Sequence, residues 1–285
     1  MRQFTVMAAI SENKKDEDKN VKATRFENIG DWKRIVKALP KYGLTIAFTG
    51  IRASGKTHTA QHFVHHLSTV GNRKYTAAFL FSATARTQDS AYPYIPLTHK
   101  FTSLGPLSRV LEQQSKLCKH NKEIEKEEGS NNRHMIRSSV LVIIDDFSAM
   151  PGVRNDPAFT ALYTHGRHLS HQLSNSFLDI VTLAQDITQL SPIQRSNCDL
   201  IASAQTLSYR ATKLMAEDYL TVGLNRKEAY RLLHSLRSTP YLFLLCWVTF
   251  QPKTSLSSYC HYMLADKALP DFRIGGPAQW KYEEK

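Results

Sequence analysis

Eight consecutive residues, Gly50, Ile51, Arg52, Ala53, Ser54, Gly55, Lys56 and Thr57, carry the spacing GxxxxGK[ST], the pattern of a phosphate-binding loop. Its glycines permit a turn tight enough to aim successive backbone N–H groups at an anion, and the dipole of a following helix strengthens that field. Lys56 is then placed to bridge the outer phosphates of a nucleotide, and the Thr57 hydroxyl to ligate Mg2+. The apolar stretch LTIAFT precedes the loop and HTAQHFVHHL follows it. This strand, loop and helix context separates the motif from a chance GKT in a glycine turn.

The run VLVIIDD, residues 140–146, is an apolar strand ending in two acids. Such a strand holds Mg2+ at the carboxyl edge of a parallel sheet, which assigns Asp145 to the metal beside Thr57. Side chains alternate along a strand, so Asp146 points to a different side and is placed to polarise a water for attack on the γ-phosphate of ATP. Capping of the turn FSAMPG is the competing assignment for Asp146. A further apolar strand, residues 177–183, runs into Ala184, Gln185 and Asp186. The Gln185 amide then lies near the acids as a sensor that orients the water and reports the state of the nucleotide. Together these residues predict hydrolysis of ATP with Mg2+. No acceptor pocket or lid arginine cluster for a small-molecule kinase is readable.

Such groups need a sheet to line them up. Apolar, β-prone runs recur at residues 44–49, 75–82, 140–144, 177–183, 199–203 and 241–249, separated by segments of helical spacing. Strands alternating with helices predict an α/β architecture, a mostly parallel sheet covered on both faces. A short helix is expected over residues 31–39, stopped by Pro40. The expected organisation is a polar N-terminal arm at 1–29, an ATPase core at 30–250 and a C-terminal extension at 251–285. A charged helical insertion at about 104–134, broken by GSNN, is expected at the sheet's margin.

The 37 Lys and Arg against 25 Asp and Glu give a formal net charge of +12, which favours a polyanionic partner, nucleic acid before an anionic membrane surface. Cys118, Cys198, Cys246 and Cys260 form no CxxC pair, which argues against a zinc ribbon or disulfide framework and fits a reducing interior. The longest apolar run, YLFLLCWVTF, is about half the ~20 residues that span a bilayer. The start, MRQFTVMAAISENKK, lacks the apolar core of a signal peptide. These features predict a soluble, intracellular chain without stable membrane insertion. His62, His65 and His66, and His165, His168 and His171, share helical spacing without Cys or carboxylate partners at ligand spacing, and read as solvated or hydrogen-bonded helix histidines. Arg210, Lys213, Arg226, Lys227, Arg231 and Arg237 could face a DNA backbone, or be ordinary exposed helix charge.

The succession GIRASGKT, IIDDF and LAQD resembles the FtsK and HerA superfamily of ring-forming DNA translocases. Tyr163, Thr164, His165, Gly166, Arg167 and His168 are similar to the GRH signature of its viral genome-packaging ATPases, those of the poxvirus, virophage and Polinton type. The resemblance runs from about residue 44 to residue 197, and more loosely through ALPDFRIGG. It implies a RecA-like P-loop NTPase of the additional-strand, catalytic-acid (ASCE) kind, with the sensor strand between the Walker A and Walker B strands. It also implies an arginine finger, Arg167 first and Arg195 in SPIQRSN second, reaching the γ-phosphate of a neighbouring subunit. A guanidinium there neutralises transition-state charge and makes hydrolysis wait for assembly. The competing assignment for Arg167 is capping of the last carbonyls of a helix.

The partners implied by the resemblance are double-stranded DNA gripped by its backbone, copies of the chain in a hexameric or pentameric ring, and portal or vertex proteins of a capsid. The implied setting is the host cytoplasm or nucleus during virion assembly, or the virion itself. Two features depart from the family: Asp146 stands where cellular relatives carry Glu, and the link HLSHQLSNSF from GRH to the sensor strand is long. The alternatives are a cellular translocase or helicase of the same superfamily and a nucleotide-gated assembly switch.

Overall fold

The apolar runs have no polar face to give to water, so each strand must be covered from both sides. In the computed structural model, which describes residues 39, 42–69, 73–85, 91–129, 133–147, 152–153, 156–221, 223–248, 256–265, 268 and 271–281, they form a single sheet. Its strands are β1 (Thr45–Thr49), β2 (Ala77–Ser82), β3 (Lys100–Phe101), β4 (Ser139–Asp145), β5 (Phe177–Ala184), β6 (Leu200–Ser203), β7 (Leu242–Trp247) and β8 (Cys260–Leu264). Their order is β3-β2-β4-β5-β1-β6-β7-β8. From β3 to β6 all pairs are parallel, and only β7 runs against the others, antiparallel to both β6 and β8. Every residue of β1, β4, β5, β6 and β7 is buried. The expected α/β class holds, and β5 lies between β1 and β4, the order the sequence resemblance implies. The N-terminal arm and residues 31–38 of the expected helix lie outside the described residues.

Among the described residues the helices are α1 (Lys56–Thr69), α2 (Leu107–Glu128), α3 (Pro157–His165), α4 (Pro192–Ser196), α5 (Tyr209–Met215), α6 (Arg226–Ser235), α7 (Leu256–Tyr259) and α8 (Pro277–Trp280). Capping boxes start α4, at Ser191 with Gln194, and α6, at Asn225 with Glu228, each satisfying backbone donors a helix start leaves open. The charged helix expected as a marginal insertion is α2, which follows the edge strand β3 and is docked on the chain that leads into β4. Gln114 donates to the Ser138 carbonyl at 2.9 Å and Asn121 to the Ile136 carbonyl at 2.7 Å, while the Ile136 N–H donates back to Asn121 Oδ1 at 2.9 Å. These bonds fix the chain as it enters β4, the strand that carries Asp145.

Two buried aspartates hold the amino end of β1. From β5, Asp179 accepts from Leu44 N–H at 2.8 Å, and just before β6, Asp199 accepts from Thr45 N–H at 2.9 Å. Both are fully buried, and a charge so placed is stable only when paired. Arg73 bonds Asp179 at 2.5 and 2.7 Å, joined by the Tyr75 hydroxyl at 2.7 Å. Arg167 bonds Asp199 at 3.1 Å. The start of the strand is thereby tied to both neighbours, and its other end opens into the phosphate loop.

Candidate active site

β1 ends at Thr49, and the loop leaves with Gly50 N–H donating to Ala184 O at 3.2 Å and Ala204 N–H donating to Thr49 O at 2.8 Å. It therefore starts wedged between the ends of β5 and β6. A Cβ on Gly50 would lie 2.7 Å from Ser54 Oγ and 2.8 Å from Ala204 Cβ, closer than real side-chain atoms approach, so only glycine fits. Ala53 and Gly55 take φ of 61° and 87°, in the left-handed region that turns the chain into α1. A Cβ on Gly55 would meet the Tyr241 ring at 2.9 Å. Thr59 N–H bonds Gly55 O at 2.8 Å, which begins the helix and leaves the preceding N–H groups for an anion.

Lys56 is buried, and its ammonium donates to the Gly50 and Ile51 carbonyls at 2.8 and 3.1 Å, across the mouth of the loop. Burial lowers its pKa, while Asp146 and Asp145 raise it. Both acids therefore act on the lysine electrostatically, although they come from a strand two places away in the sheet. Ser54 Oγ is buried without a hydrogen-bond partner among the described residues, a polar atom that a phosphate oxygen could satisfy.

The two acids differ as their places in the strand require. Asp145 is 8% exposed, and Asp146 is exposed with φ 54° and its N–H bonded to Leu183 O at 3.1 Å. Burial pushes the Asp145 carboxyl up to about 6; the hydrogen bond from Tyr92 lowers it, Asp146 raises it and Lys56 lowers it. The left-handed turn at Asp146 swings its carboxylate off the strand line into solvent reach. The donors expected for Mg2+, the Thr57 hydroxyl and the Asp145 carboxylate, fit a hard divalent cation: both are oxygens, and one is a buried acid that a cation would hold ionised. Gln185 is exposed at the end of β5, next to β4, and its N–H is bonded to Gln189 Oε1 at 2.9 Å. The carboxyl edge thus gathers Gly50 to Thr57, Asp145, Asp146 and Gln185.

The two candidate fingers lie elsewhere. Arg167 pairs with Asp199 and lies 5.6 Å from the Tyr42 ring centroid. That is the opposite edge of the sheet, roughly 15 Å from the loop along β1 at strand rise. Gly166 is buried so closely that a Cβ there would meet Ile180 of β5 at 2.8 Å, and the Tyr163 hydroxyl bonds Thr182. The segment around GRH thus packs onto the back of the sensor strand, with Arg167 as counter-ion of Asp199 and not as a helix cap. Arg195 donates to the Leu190 carbonyl at 2.7 Å and lies 4.0 Å from Asp218. Both guanidiniums bear on Cys198. Within one chain, Arg167 is held away from the phosphate loop and Arg195 is engaged beside Cys198.

Among the histidines expected to be solvated or hydrogen-bonded, His62 is buried at 2% exposure, with its ring 4.7 Å from that of His58. His171 bonds Ser174 and Glu125, both at 2.9 Å. No group of three metal-binding side chains occurs among the described residues. Arg210, Lys213, Arg226, Lys227 and Arg231 are exposed on α5 and α6, with Arg226 bonded to Glu217 at 2.8 Å. Arg237 is tied to the Thr206 carbonyl at 2.8 Å. Sequence reasoning missed Tyr92, whose hydroxyl donates to Asp145 Oδ2 at 2.8 Å. It lies in a loop with no motif, and only its place near the acids marks it. No described helix is long and apolar enough to cross a membrane.

No protein-family model and no curated protein sequence matches the chain. Among solved structures, the conjugation coupling protein TcpA of pCW3 superposes with a TM-score of 0.53 at 11% identity, over 86% of this chain and 66% of that one. The type VII secretion ATPase EccC of Thermomonospora curvata does so with 0.50 at 15%, over 80% of this chain and 26% of that one. A looser likeness, 0.49 at 18%, covers 82% of this chain and all of the genome-packaging NTPase B204 of Sulfolobus turreted icosahedral virus 2. The chain shares the α/β fold of TcpA and EccC.

Proposed function

We propose that this chain hydrolyses ATP with Mg2+ and uses the cycle to move double-stranded DNA into a viral capsid. The observation that carries the catalytic part is the convergence of Lys56, Asp145, Asp146 and Gln185 on the carboxyl edge of adjacent strands, with both acids acting on the lysine. Backbone N–H groups of the 50–57 loop, other than those of Gly50 and Ser54 that bond the Ala184 and Ile51 carbonyls, and the Lys56 ammonium bind the phosphates, and Thr57 and Asp145 would hold the cation. A Mg2+ held there would supply neutralisation of the phosphate charge. Asp146, exposed and turned off the strand, accepts the proton of the attacking water, while Gln185 orients that water and registers loss of the γ-phosphate.

The DNA part draws on the net charge of +12, the exposed basic residues of α5 and α6 and the GRH resemblance. Contacts from such residues go to phosphates, so movement is indifferent to base sequence. Subunits assemble into a hexameric or pentameric ring in which Arg167, or else Arg195, meets the nucleotide of the next copy; portal or vertex proteins receive the ring. The likeness to TcpA, a conjugation coupling protein, favours a second reading, a cellular DNA translocase or helicase of the same fold, which the sequence resemblance to packaging enzymes ranks second.

The test measures ATP turnover by wild type, Asp146→Asn and Arg167→Ala with and without long duplex DNA, with oligomeric state recorded in the same samples. DNA-stimulated turnover, lost in both variants and poisoned when Arg167→Ala subunits are mixed into wild type, is the expected result. Turnover indifferent to DNA in the assembled state would sink the motor and leave an ATPase of other output.

A further inference from the structure

Tyr92 belongs to no motif, yet its phenol bonds the carboxylate assigned to the cation. It donates to Asp145 Oδ2 at 2.8 Å. Tyr92 is 2% exposed, so its hydroxyl cannot exchange this partner for water. With Oδ2 taken by the phenol, rotation of the Asp145 carboxylate is restricted and Oδ1 is presented in a defined direction. Outer-shell hydrogen bonds of this kind orient metal ligands, and their loss weakens metal binding.

The loop that carries Tyr92 is held from two sides. Gln61 on α1, the helix that starts at the phosphate loop, donates its amide to the Ala91 carbonyl. On the other side the Tyr94 ring stacks on Phe272 with centroids 4.5 Å apart and planes 18° apart, and Ile274 N–H donates to Tyr94 O at 3.0 Å. Phe272 also meets His65 of α1 edge-on at 5.1 Å, and Ile274 is pinned by the Trp280 indole N–H at 3.1 Å. A segment near the C-terminal end of the sequence therefore braces the loop that touches the candidate metal ligand Asp145.

We propose that Tyr92 is a positioning residue for Asp145, and that residues 271–276 set its pose, so that divalent-cation affinity is governed from the C-terminal segment. This rests on the reading of the site as one for Mg2+ and ATP. If the phenol were buried merely for packing, its loss would lower thermal stability and leave cation affinity unmoved.

The probe is Mn2+, whose free concentration is followed by electron paramagnetic resonance as it is titrated onto full-length protein saturated with a non-hydrolysable ATP analogue. Nucleotide binding in EDTA and thermal melting are recorded in parallel. Tyr92→Phe is expected to bind Mn2+ about tenfold more weakly with nucleotide binding in EDTA unchanged; Phe272→Leu shows a smaller loss in the same direction. Wild-type Mn2+ affinity in Tyr92→Phe overturns the proposal. So does tighter binding, which would mean that the phenol competes with the cation. Normal affinity in Phe272→Leu overturns the role of the C-terminal segment, and that variant carries the test alone if Tyr92→Phe melts below the assay temperature. A wild type that binds neither the analogue nor Mn2+ would instead refute the underlying reading of the site.

Discussion

Asp145→Asn should make the protein free of metal and nucleotide more stable while abolishing its Mg2+-dependent chemistry. In the folded chain the carboxyl titrates at about 6 because it is buried, against a reference value of 3.8. The raised value means that the folded state retains a proton the unfolded state has released. The associated stability is therefore present below pH 3.8 and lost as pH rises through 6. Each pH unit in that window costs ~1.4 kcal/mol, so above it the ionised Asp145 costs on the order of 3 kcal/mol. Asparagine never ionises, and its carbonyl can still accept from Tyr92. The variant's advantage should thus grow from about 1.5 kcal/mol at pH 5 to about 3 kcal/mol at pH 8, or roughly 6 °C in melting midpoint at the higher pH. Thermal unfolding of both proteins in EDTA at the two pH values measures it. Adding Mg2+ and ATP should reverse the ranking, because ligands that bind only the folded wild type stabilise it by mass action. A variant no more stable than wild type at pH 8, or an advantage flat between pH 5 and 8, would refute the argument that burial of this carboxylate is uncompensated without the cation.

Arg73→Ala strips the counter-ion from fully buried Asp179 and should cost about 3–5 kcal/mol in urea unfolding, with the loss shrinking if Asp179→Asn is added. Gly55→Ala forces a side chain into φ 87° against the Tyr241 ring; it should lower stability by about 1–2 kcal/mol and remove ATP binding measured by calorimetry. Arg167→Ala should destabilise the isolated chain by about 1–3 kcal/mol through loss of its charged bond to buried Asp199. Arg167→Lys should recover part of that in chemical unfolding, so mixing experiments on the finger need matched melting curves.

The sheet was legible where strands are buried on both faces, because such strands have no polar alternation to obscure them. β3 escaped notice because it is two residues long and includes Lys100. β8, CHYML, did so because its partial exposure breaks the apolar run. Residues 50–57 and the acids at 145 and 146 announced themselves because their chemistry demands contiguous spacing. Tyr92 did not, because its relation to Asp145 exists only once β2 and β4 pair. The same reason hid the tie between Arg167 and Asp199: the arginine was visible as part of a motif, but its partner depended on how β6 lies beside β1. Gln185 lay between these cases, since its place at the end of a strand was readable and its nearness to the acids needed the strand order.

Tyr241 places the phosphate loop in a different light. This residue, itself at φ 63° and 60% exposed, covers Gly55 from the start of β7, because β7 runs against its neighbours and brings the chain back to the loop. The Walker motif is thus a short word in the sequence whose spelling is local and whose shape is dictated from most of a chain-length away. Closing so long a loop is entropically slow and comes late in folding. Nascent chains that stop short of β7 would display every letter of the motif and still lack one wall of its pocket, so nucleotide binding becomes a marker of completed folding.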